Sequence, residues 1–425
     1  MSHGCSWADY DLDGFLDLFV VRHVGKNLLF RNQGDGTFAK MTAGPVVTDR
    51  ELFSESCAWA DYDNDGDPDL FVTNAEGPCF LYRNDGAGKF TKITAGPVVT
   101  EHNYTLGCAW GDYDNDGDLD LFVCNGYADP GMNRARPNSL FENNGDGTFT
   151  KLTSGVIATD FFPVGFAGSC TWFDYDNDGF LDMLVTRSAF DRLIPNALYR
   201  NNGDKTFTKI TSGSVANDLG FGAGCPIGDL NNDGFPDIFV SNGAGYSSSL
   251  TNFLYLNNGN GNAWLTVKLV GTQSNRSAIG AKVRVRAAYR GEARWQLREL
   301  SGGSGQATFN DLRASFGLGD ATSVDLVRVE WPSGMVTELR DLATKQFLTI
   351  VEPPRLAAIS RTGGAAKVSM GGGIGFSYAL ETSSDFVSWL PLRTNTATSS
   401  TIEFEDAVAA NFPHRFYRAR LVKNH

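Results

Sequence analysis

The sequence lacks the features that define several broad classes of protein. No stretch approaches the run of about 18 apolar residues that suggests a membrane-spanning helix, and the chain opens without the basic start and apolar core of a signal peptide. Lysine and arginine number 36 against 49 acidic residues, so the formal net charge is -13. Nucleic-acid binding needs a basic surface. We therefore expect no membrane span and no nucleic-acid partner.

Histidine and cysteine are also scarce, and catalytic motifs are absent. The chain has five histidines without zinc-ligand spacing, and it contains no G-x-S-x-G or H-E-x-x-H motif. Seven cysteines all lie at or before Cys225, and an odd number cannot be fully paired within one chain. His102 precedes the third repeat and is interpreted as a solvated side chain. The sequence predicts no enzyme, and no catalytic or cofactor residue is assigned.

A fivefold internal repeat dominates the first 262 residues. Each copy holds an Asp-rich loop, such as ADYDNDGDPDLFV from Ala60, and the first aspartates are spaced by 52, 51, 62 and 55 residues. A cysteine stands four residues before each first aspartate, and a tryptophan stands two residues before it in the first four copies. Ile227 replaces that tryptophan in the fifth copy. The recurring cysteines are interpreted as small buried apolar groups.

Each repeat predicts four short strands. The Cys-x-Trp stretch alternates, the DLFV-type run is apolar, and the N-x-L-[FY] and FTKIT stretches supply two more strands. The NGDGT sequence between the last two favours a hairpin turn. Four strands per unit of about fifty residues is the period of a propeller blade. The sequence therefore predicts an all-β fold with a β-propeller of five four-stranded blades, followed by two small β-sandwich-like domains.

The Asp-rich loops carry oxygen side chains at positions 1, 3, 5 and 9 and glycine at position 6. A hard cation such as Ca²⁺ takes six to eight oxygen ligands, and alternate carboxylates in a tight loop can converge on one ion. An EF-hand would need glutamate at position 12, where all five copies have valine, for example Val72. Zn²⁺ prefers cysteine and histidine. Metal-free Asp-rich turns are the less favoured alternative, because five copies keep one ligand spacing.

The loop followed by an apolar strand resembles the FG-GAP or VCBS repeat, the calcium-binding blade of integrin-type β-propellers. The resemblance covers about residues 1 to 262 and implies one Ca²⁺ per blade, five in all. The fifth copy departs at position 3, where asparagine offers a carbonyl oxygen. The implied metal ligands are Asp9, Asp11, Asp13 and Asp17; Asp61, Asp63, Asp65 and Asp69; Asp112, Asp114, Asp116 and Asp120; Asp174, Asp176, Asp178 and Asp182; and Asp229, Asn231, Asp233 and Asp237.

Two interpretations of the blade number stay open. Family propellers commonly have seven or eight blades, whereas this sequence shows five and begins inside the first strand of a motif. The chain is either a closed five-bladed ring or a fragment of a larger secreted protein, truncated at its N-terminus. Closure with five blades is the preferred interpretation.

The remaining sequence predicts two further β domains. The ordered motifs SNRSAIGA, FGLG and WPSG within residues 263–352 resemble the ASPIC/UnbV domain, which follows FG-GAP repeats in the cartilage acidic protein family. Six arginines make this region basic, and they are interpreted as a solvated sheet face in preference to an anion-binding patch: Arg276, Arg284, Arg286, Arg290, Arg294 and Arg298. Residues 353–425 begin with a Pro-Pro linker and resemble small C-terminal β-sandwich modules of bacterial secreted proteins.

The leading functional hypothesis is a calcium-binding extracellular or cell-surface adhesion protein that recognises a glycan or protein ligand. Phe161, Phe162, Tyr127 and Tyr246 are candidate sugar-stacking side chains, although local packing is the commoner role of such residues. The alternatives are a lyase-like polysaccharide enzyme built on a calcium propeller and a structural spacer of a larger secreted protein. Five bound Ca²⁺ ions would bring the net charge of -13 to about -3.

Overall fold

The computed structural model describes residues 2–49, 53–126, 136–160, 165–189, 192–243, 250–303 and 308–422. Within these ranges the chain is built from strands, with four one-turn α-helices and one 3-10 turn. No helix there is long and apolar enough to cross a membrane. The all-β prediction is confirmed.

The propeller consists of consecutive antiparallel sheets in which each strand pairs with the next along the chain. The first blade is β1 (Ser2–Ala8), β2 (Asp17–Arg22), β3 (Leu28–Asn32) and β4 (Phe38–Lys40). The second is β5 (Ser54–Ala60), β6 (Asp69–Asn74), β7 (Phe80–Asn84) and β8 (Phe90–Ile93). The third is β9 (Thr105–Gly111), β10 (Asp120–Asn125), β11 (Ser139–Asn143) and β12 (Phe149–Lys151). The fourth is β13 (Phe166–Phe173), β14 (Asp182–Ser188), β15 (Ala197–Asn201) and β16 (Phe207–Ile210).

A short helix follows the last strand of each of these blades and leads into the next blade. The sequence did not predict these helices, because four residues are too few to show a helical period. Their bounds are α1 (Pro45–Thr48), α2 (Pro97–Thr100), α3 (Val156–Thr159) and α4 (Ser214–Asn217).

Aromatic stacking joins each blade to the next. The tyrosine at position 2 of each of the first three loops stacks on the following blade's tryptophan, with interplanar angles of 11° or 12° and centroid separations of 6.0 to 6.4 Å. A phenylalanine of the second strand meets the same indole edge-on, as Phe122 meets Trp172. Aromatic pairs of this kind add to the free energy gained by burial. The recurring tryptophan therefore holds neighbouring blades together.

The recurring cysteines are buried in blades two to five, as predicted, but Cys5 is exposed. The difference has a packing cause. Cys57 lies in the cluster that joins blades one and two, whereas no apolar cluster of the described residues includes Cys5.

The fifth unit has three strands in the described residues, where four were predicted. These strands are β17 (Ile227–Gly228), β18 (Asp237–Val240) and β19 (Phe253–Tyr255). The next strand, β20 (Ala263–Val270), pairs instead with two strands of the second domain. The sequence that would complete the blade is thus used by the neighbouring sandwich.

Predicted closure of blade five onto blade one is not found among the described residues. Hydrophobic clusters join blades one to two, two to three, three to four and four to five, and none of them joins five to one. A segment of the second domain lies there: Trp7 N donates to Gly302 O at 3.1 Å, and Asp311 N donates to Ile227 O at 2.9 Å. The fifth blade lacks the stacking tryptophan, and its position-2 residue, Leu230, is 61% exposed.

The second domain is a β-sandwich around one apolar cluster. One sheet has the order β23-β20-β26 and the other the order β22-β21-β24-β25. The bounds are β21 (Lys282–Tyr289), β22 (Glu292–Glu299), β23 (Ala314–Gly319), β24 (Ser323–Glu330), β25 (Val336–Ala343) and β26 (Gln346–Val351).

A buried carboxylate explains why the SNRSAIGA and WPSG motifs occur together. Glu352 Oε2 accepts hydrogen bonds from the backbone N–H groups of Thr272, Gln273 and Ser274 at 2.7, 2.8 and 2.9 Å. Its Oε1 accepts from the hydroxyls of Ser274 and Ser333. One acidic side chain thus fixes the two loops beside each other.

The C-terminal residues form a second sandwich with a separate core. Its sheets have the orders β27-β28-β31 and β30-β29-β32. The bounds are β27 (Arg355–Thr362), β28 (Ala365–Gly371), β29 (Ser377–Ser383), β30 (Leu390–Thr396), β31 (Thr401–Asp406), the 3-10 turn Ala409–Asn411, and β32 (Phe416–Val422).

Replacing an interblade tryptophan should destabilise the propeller strongly. Trp172 is 8% exposed and contacts three aromatic rings. We expect Trp172→Ala to lower the free energy of unfolding by about 3–5 kcal/mol, because it leaves a cavity between blades three and four. Urea unfolding measures the loss. Trp295, which is 40% exposed on β22, is the matched control. Equal losses from Trp172→Ala and Trp295→Ala would contradict the stacking argument.

Candidate metal centres

The five Asp-rich loops connect the first and second strands of each blade and therefore lie at one end of the propeller. Position 1 organises the start of each loop. In the second loop Asp61 Oδ1 and Oδ2 accept hydrogen bonds from the N–H groups of Asp65 and Gly66, each at 3.0 Å. The same pair of bonds recurs in the first, fourth and fifth loops. The backbone thus turns tightly around the first carboxylate.

The aspartate at position 9 ties the loop to the third strand. Asp69 Oδ2 accepts from Tyr62 N at 3.2 Å, and its Oδ1 accepts from Asn84 N at 2.7 Å. All five loops repeat this arrangement. The carboxylate is buried in every copy. Each position-9 oxygen accepts only one of these bonds, so lone pairs stay available for a cation.

Three carboxylates converge in each of the first four loops. In each set, one oxygen from every member lies within 4.8 Å of the others. The sets are Asp9, Asp11 and Asp13; Asp61, Asp63 and Asp69; Asp112, Asp114 and Asp120; and Asp174, Asp176 and Asp182. Of the remaining predicted ligands of these loops, Asp65 and Asp116 are exposed, whereas Asp17 and Asp178 are buried.

The fifth loop brings no such set together among its described carboxylates, Asp229, Asp233 and Asp237. Its position-3 residue is Asn231, whose side-chain amide donates to Asp233 Oδ2 at 2.8 Å. The predicted reduction in charge at this loop therefore comes with a different internal hydrogen bond.

The position-3 carboxylates leave buried oxygens without a hydrogen-bond partner. Oδ1 of Asp11, Asp63 and Asp176 is inaccessible and unpartnered in all three loops. A buried polar atom without a partner loses hydration without compensation. The same oxygen atom lacks a partner in three repeats, and every potential metal ligand in these sets is an oxygen. This arrangement fits a hard divalent cation.

Basic side chains already neutralise part of this charge. Arg31 donates to Asp11 and Asp13 at 2.5 and 2.7 Å, and Arg200 pairs with Asp176 and Asp178 at 2.8 and 2.9 Å. These contacts use the Oδ2 atoms, and Oδ1 of Asp11 and Asp176 stays buried without a hydrogen-bond partner.

Burial and mutual repulsion raise the pKa values of the loop carboxylates. Burial is the largest cause, and it raises the pKa of Asp9, Asp17 and Asp112 to about 7. It raises the pKa of Asp69 to about 9, with the Asp63 and Asp61 charges adding to the shift. The loops therefore hold protons, or a cation, more readily than isolated carboxylates would.

Two recurring asparagines were missed by the sequence argument. The asparagine that ends the third strand donates from Nδ2 to the position-2 carbonyl of the preceding blade, as Asn143 does to Tyr62 O at 2.8 Å. Asn84, Asn201 and Asn257 repeat this bond. Its periodic occurrence after [FY]-x was the available signal. Each loop is thereby tied to the following blade.

The second missed asparagine lies at loop position 4, where the backbone has positive φ. Asn115 and Asn177, with φ of 62° and 54°, donate to Gly179 O and Gly234 O of the next loop, each at 3.0 Å. The first copy has Leu12 here, at φ 57°. Left-handed backbone is unfavourable for leucine and better tolerated by asparagine.

Three of the six arginines that were predicted to form a solvated face lie against the propeller loops instead, whereas Arg276 and Arg286 are exposed as predicted. Arg290 pairs with Asp178 at 2.7 Å, Arg284 donates to Gly117 O at 3.3 Å, and Arg298 lies near Asp174 and Asp112. Lys282, also on β21, pairs with Asp61 at 2.7 Å. The sequence could not reveal this docking, because it joins residues more than a hundred positions apart.

The FGLG motif lies directly against the fourth loop. Gly319 N donates to Asn177 O at 2.9 Å. A Cβ atom at Gly317 would collide with Asp174 Oδ2 and with the Asn177 backbone, so only glycine allows β23 this close. Where the second domain meets the inner strands, a cavity of about 170 Å³ remains, lined by Trp110, Trp172 and Arg298 among others.

The candidate stacking aromatics Tyr127, Phe161, Phe162 and Tyr246 lie outside the described residues. Their proposed contact with sugars stays a prediction.

Comparison with known families matches two regions of the chain. The FG-GAP-like repeat matches residues 9–72, 61–123, 126–185 and 191–240. The ASPIC and UnbV family matches residues 271–357.

Among curated proteins, the chain is similar to cartilage acidic protein 1 of Mus musculus and of Homo sapiens. Each is 29% identical over 324 residues, which is 74% of this chain and 45% or 44% of the relative. The chain thus spans less than half the length of these relatives. Among solved structures, the V. cholerae biofilm matrix protein Bap1 covers 88% of this chain and 85% of its own, at 9% identity and a TM-score of 0.26. This TM-score is too low to show a shared fold.

Replacing Leu12 by asparagine should stabilise the first blade. Leu12→Asn removes a left-handed leucine and supplies the amide that the third and fourth loops use at this position. We expect a gain of about 1 kcal/mol, measured as a higher urea midpoint. Leu12→Ala is the control, because it keeps an unfavourable residue and adds no amide. A gain from Leu12→Ala equal to that from Leu12→Asn would contradict the role of the amide.

The metal-free protein should lose stability as pH rises from about 5 to about 8. The pKa values of Asp9, Asp17 and Asp112 are near 7 in the folded chain, against about 3.8 for a free aspartate, so the folded state binds more protons in this window. Their contribution is complete below pH 4 and is lost as pH passes 7. Melting temperatures recorded in EDTA across this range test the prediction.

Added Ca²⁺ should reverse the trend, because the ion binds ionised carboxylates. Its stabilising effect is expected to grow with pH over the same window. Carboxylates whose pKa is lowered by arginine, such as Asp406 and Glu381, titrate at lower pH and do not mask the effect. A metal-free melting temperature that rises from pH 5 to 8 would contradict the argument.

Proposed function

The chain belongs to the FG-GAP-like repeat family and carries an ASPIC and UnbV domain, and we propose that it is a calcium-dependent extracellular protein of the adhesion or structural type. The observation that carries the proposal is the convergence of buried carboxylates in four successive loops, with the same oxygen of Asp11, Asp63 and Asp176 left unpartnered. Ca²⁺ would supply the missing partner and neutralise the charge.

The cations would act as structural elements. The first four loops hold three close carboxylates each, and the asparagines at the ends of the third strands tie loops to following blades. An ion that fixes one loop therefore also fixes the boundary with the next blade. Binding at one hundred times the dissociation constant stabilises the folded state by about 2.7 kcal/mol per site.

The ligand-binding surface that we propose is the end of the propeller opposite the Asp-rich loops. The loop end is occupied by the second domain, through Lys282 and Arg290 among other contacts. The opposite end holds two open grooves of about 660 and 360 Å³. The larger is lined by aromatic and charged side chains, including Phe53, Phe80, Lys92 and His102, and the smaller by Glu101, Arg136 and Lys151. Such mixed linings suit a glycan or a polar protein segment.

The two alternatives make different predictions for one binding experiment. A glycan array and a panel of matrix proteins are probed with the full chain in Ca²⁺ and in EDTA. Calcium-dependent binding without turnover is the result expected for the proposed adhesion function. Cleavage of a bound polysaccharide would show the enzyme instead. Stabilisation by Ca²⁺ without any binding would support the structural spacer.

Removal of calcium should lower the melting temperature strongly, and excess Ca²⁺ should restore it, because the ion binds only the folded loops. Calorimetry and elemental analysis measure the effect and the number of bound ions. Asp116→Ala should reduce bound Ca²⁺ by about one ion per chain. Asp146→Ala is the control, since Asp146 lies in the exposed hairpin after β11 and hydrogen-bonds to Thr148. No EDTA effect and no bound metal would overturn the calcium proposal.

A further inference from the structure

The propeller carries a second cluster of metal-ligating side chains at the end opposite the Asp-rich loops. His3 Nδ1 lies 2.6 Å from Glu55 Oε2, and His23 Nδ1 lies 2.7 Å from Glu55 Oε1. One ligand atom from each of the three residues lies within 4.8 Å of the other two. The two imidazoles are stacked, with centroids 4.5 Å apart. A single ion could therefore contact all three side chains.

Three separate strand ends bring these residues together. His3 lies near the start of β1, His23 directly follows β2, and Glu55 is the second residue of β5. The pairing of β1 with β2 shifts register between Ser2 and Gly4, and that of β5 with β6 shifts between Ser54 and Cys57. Shifts at the equivalent place recur in blades three and four, so they belong to the repeat and redirect the side chains there. They fall on the His3 and Glu55 positions.

The donor set differs in chemistry from the aspartate loops. It offers two imidazole nitrogens and one carboxylate, whereas the loops offer oxygen only. Zn²⁺ and similar transition-metal ions accept such a mixed set, and Ca²⁺ does not favour nitrogen. Three protein ligands also leave a coordination position for water.

The burial of Glu55 and the partial exposure of the two histidines suit a metal ion that exchanges with solvent. The Glu55 side chain is 3% exposed, and the His3 and His23 side chains are 27% and 31% exposed. His23 also lines the groove of about 660 Å³, together with Glu76 and His102. The carboxylate is thus buried, while the His23 imidazole lies at the groove. We infer that His3, His23 and Glu55 form a transition-metal site of the Zn²⁺ type between blades one and two, distinct from the calcium loops.

The test measures Zn²⁺ binding to the full chain while the loops are filled. The protein is stripped with EDTA, returned to excess Ca²⁺, and titrated with Zn²⁺ by calorimetry, with bound metal measured by elemental analysis. We expect about one Zn²⁺ per chain, and His23→Ala should weaken binding at least 10-fold. His102→Ala is the matched control, because His102 lines the same groove outside the cluster.

The absorption spectrum of bound Co²⁺ tests the site in the wild-type chain, so this measurement does not require that a variant folds. Co²⁺ bound to the wild-type chain should give visible absorption without thiolate charge-transfer bands. Cys5→Ser should leave both metals bound, although Cys5 is exposed and lies two residues from His3. Thiolate bands, no Zn²⁺ binding in Ca²⁺, or equal binding by wild type and a folded His23→Ala would overturn the site and leave a hydrogen-bonded His-Glu-His network. These results do not depend on the proposed adhesion function.

Discussion

The carboxylate at loop position 9 is the constraint on which the propeller depends. It accepts one backbone hydrogen bond from its own loop and one from the third strand of its blade. The asparagine that supplies the second bond also reaches the loop of the preceding blade, as Asn143 reaches Tyr62. One buried charge thereby connects two strands and two blades. Because this aspartate-asparagine arrangement is repeated, each Asp-rich loop contributes to the contact between neighbouring blades.

The carboxylates of the Asp-rich loops also explain how the second domain packs on the propeller. A loop end rich in carboxylates would repel itself, and the basic strand β21 lies against it with Lys282, Arg284 and, at its end, Arg290. Basic side chains therefore contact the same acids that we propose as metal ligands. Salt bridges at partly exposed positions each contribute little to stability. The close contact between Gly317 on β23 and the fourth loop adds steric complementarity to these ion pairs. The docking is specific because both conditions must be met.

The repeat made the blades and the grouping of carboxylates in the first four loops predictable, because the copies share one spacing. The four-strand pattern and the buried position of Cys57 both followed from it. The four-residue helices and the recurring asparagines inside the blades were not predicted, and neither were the features beyond the repeat. The missing fourth strand of blade five depends on β20 pairing elsewhere. Contacts between distant segments place the arginines against the propeller loops. Such contacts also bring together His3, His23 and Glu55.

The segment that lies between blades one and five has a consequence for how the molecule is made. The free edge of β1 receives its partner, Gly302, only after about three hundred further residues have left the ribosome. Until then this edge of β1 lacks its partner, and an unpaired strand edge is a common route to aggregation. The four complete blades are therefore synthesised before the segment that pairs with the edge of the first.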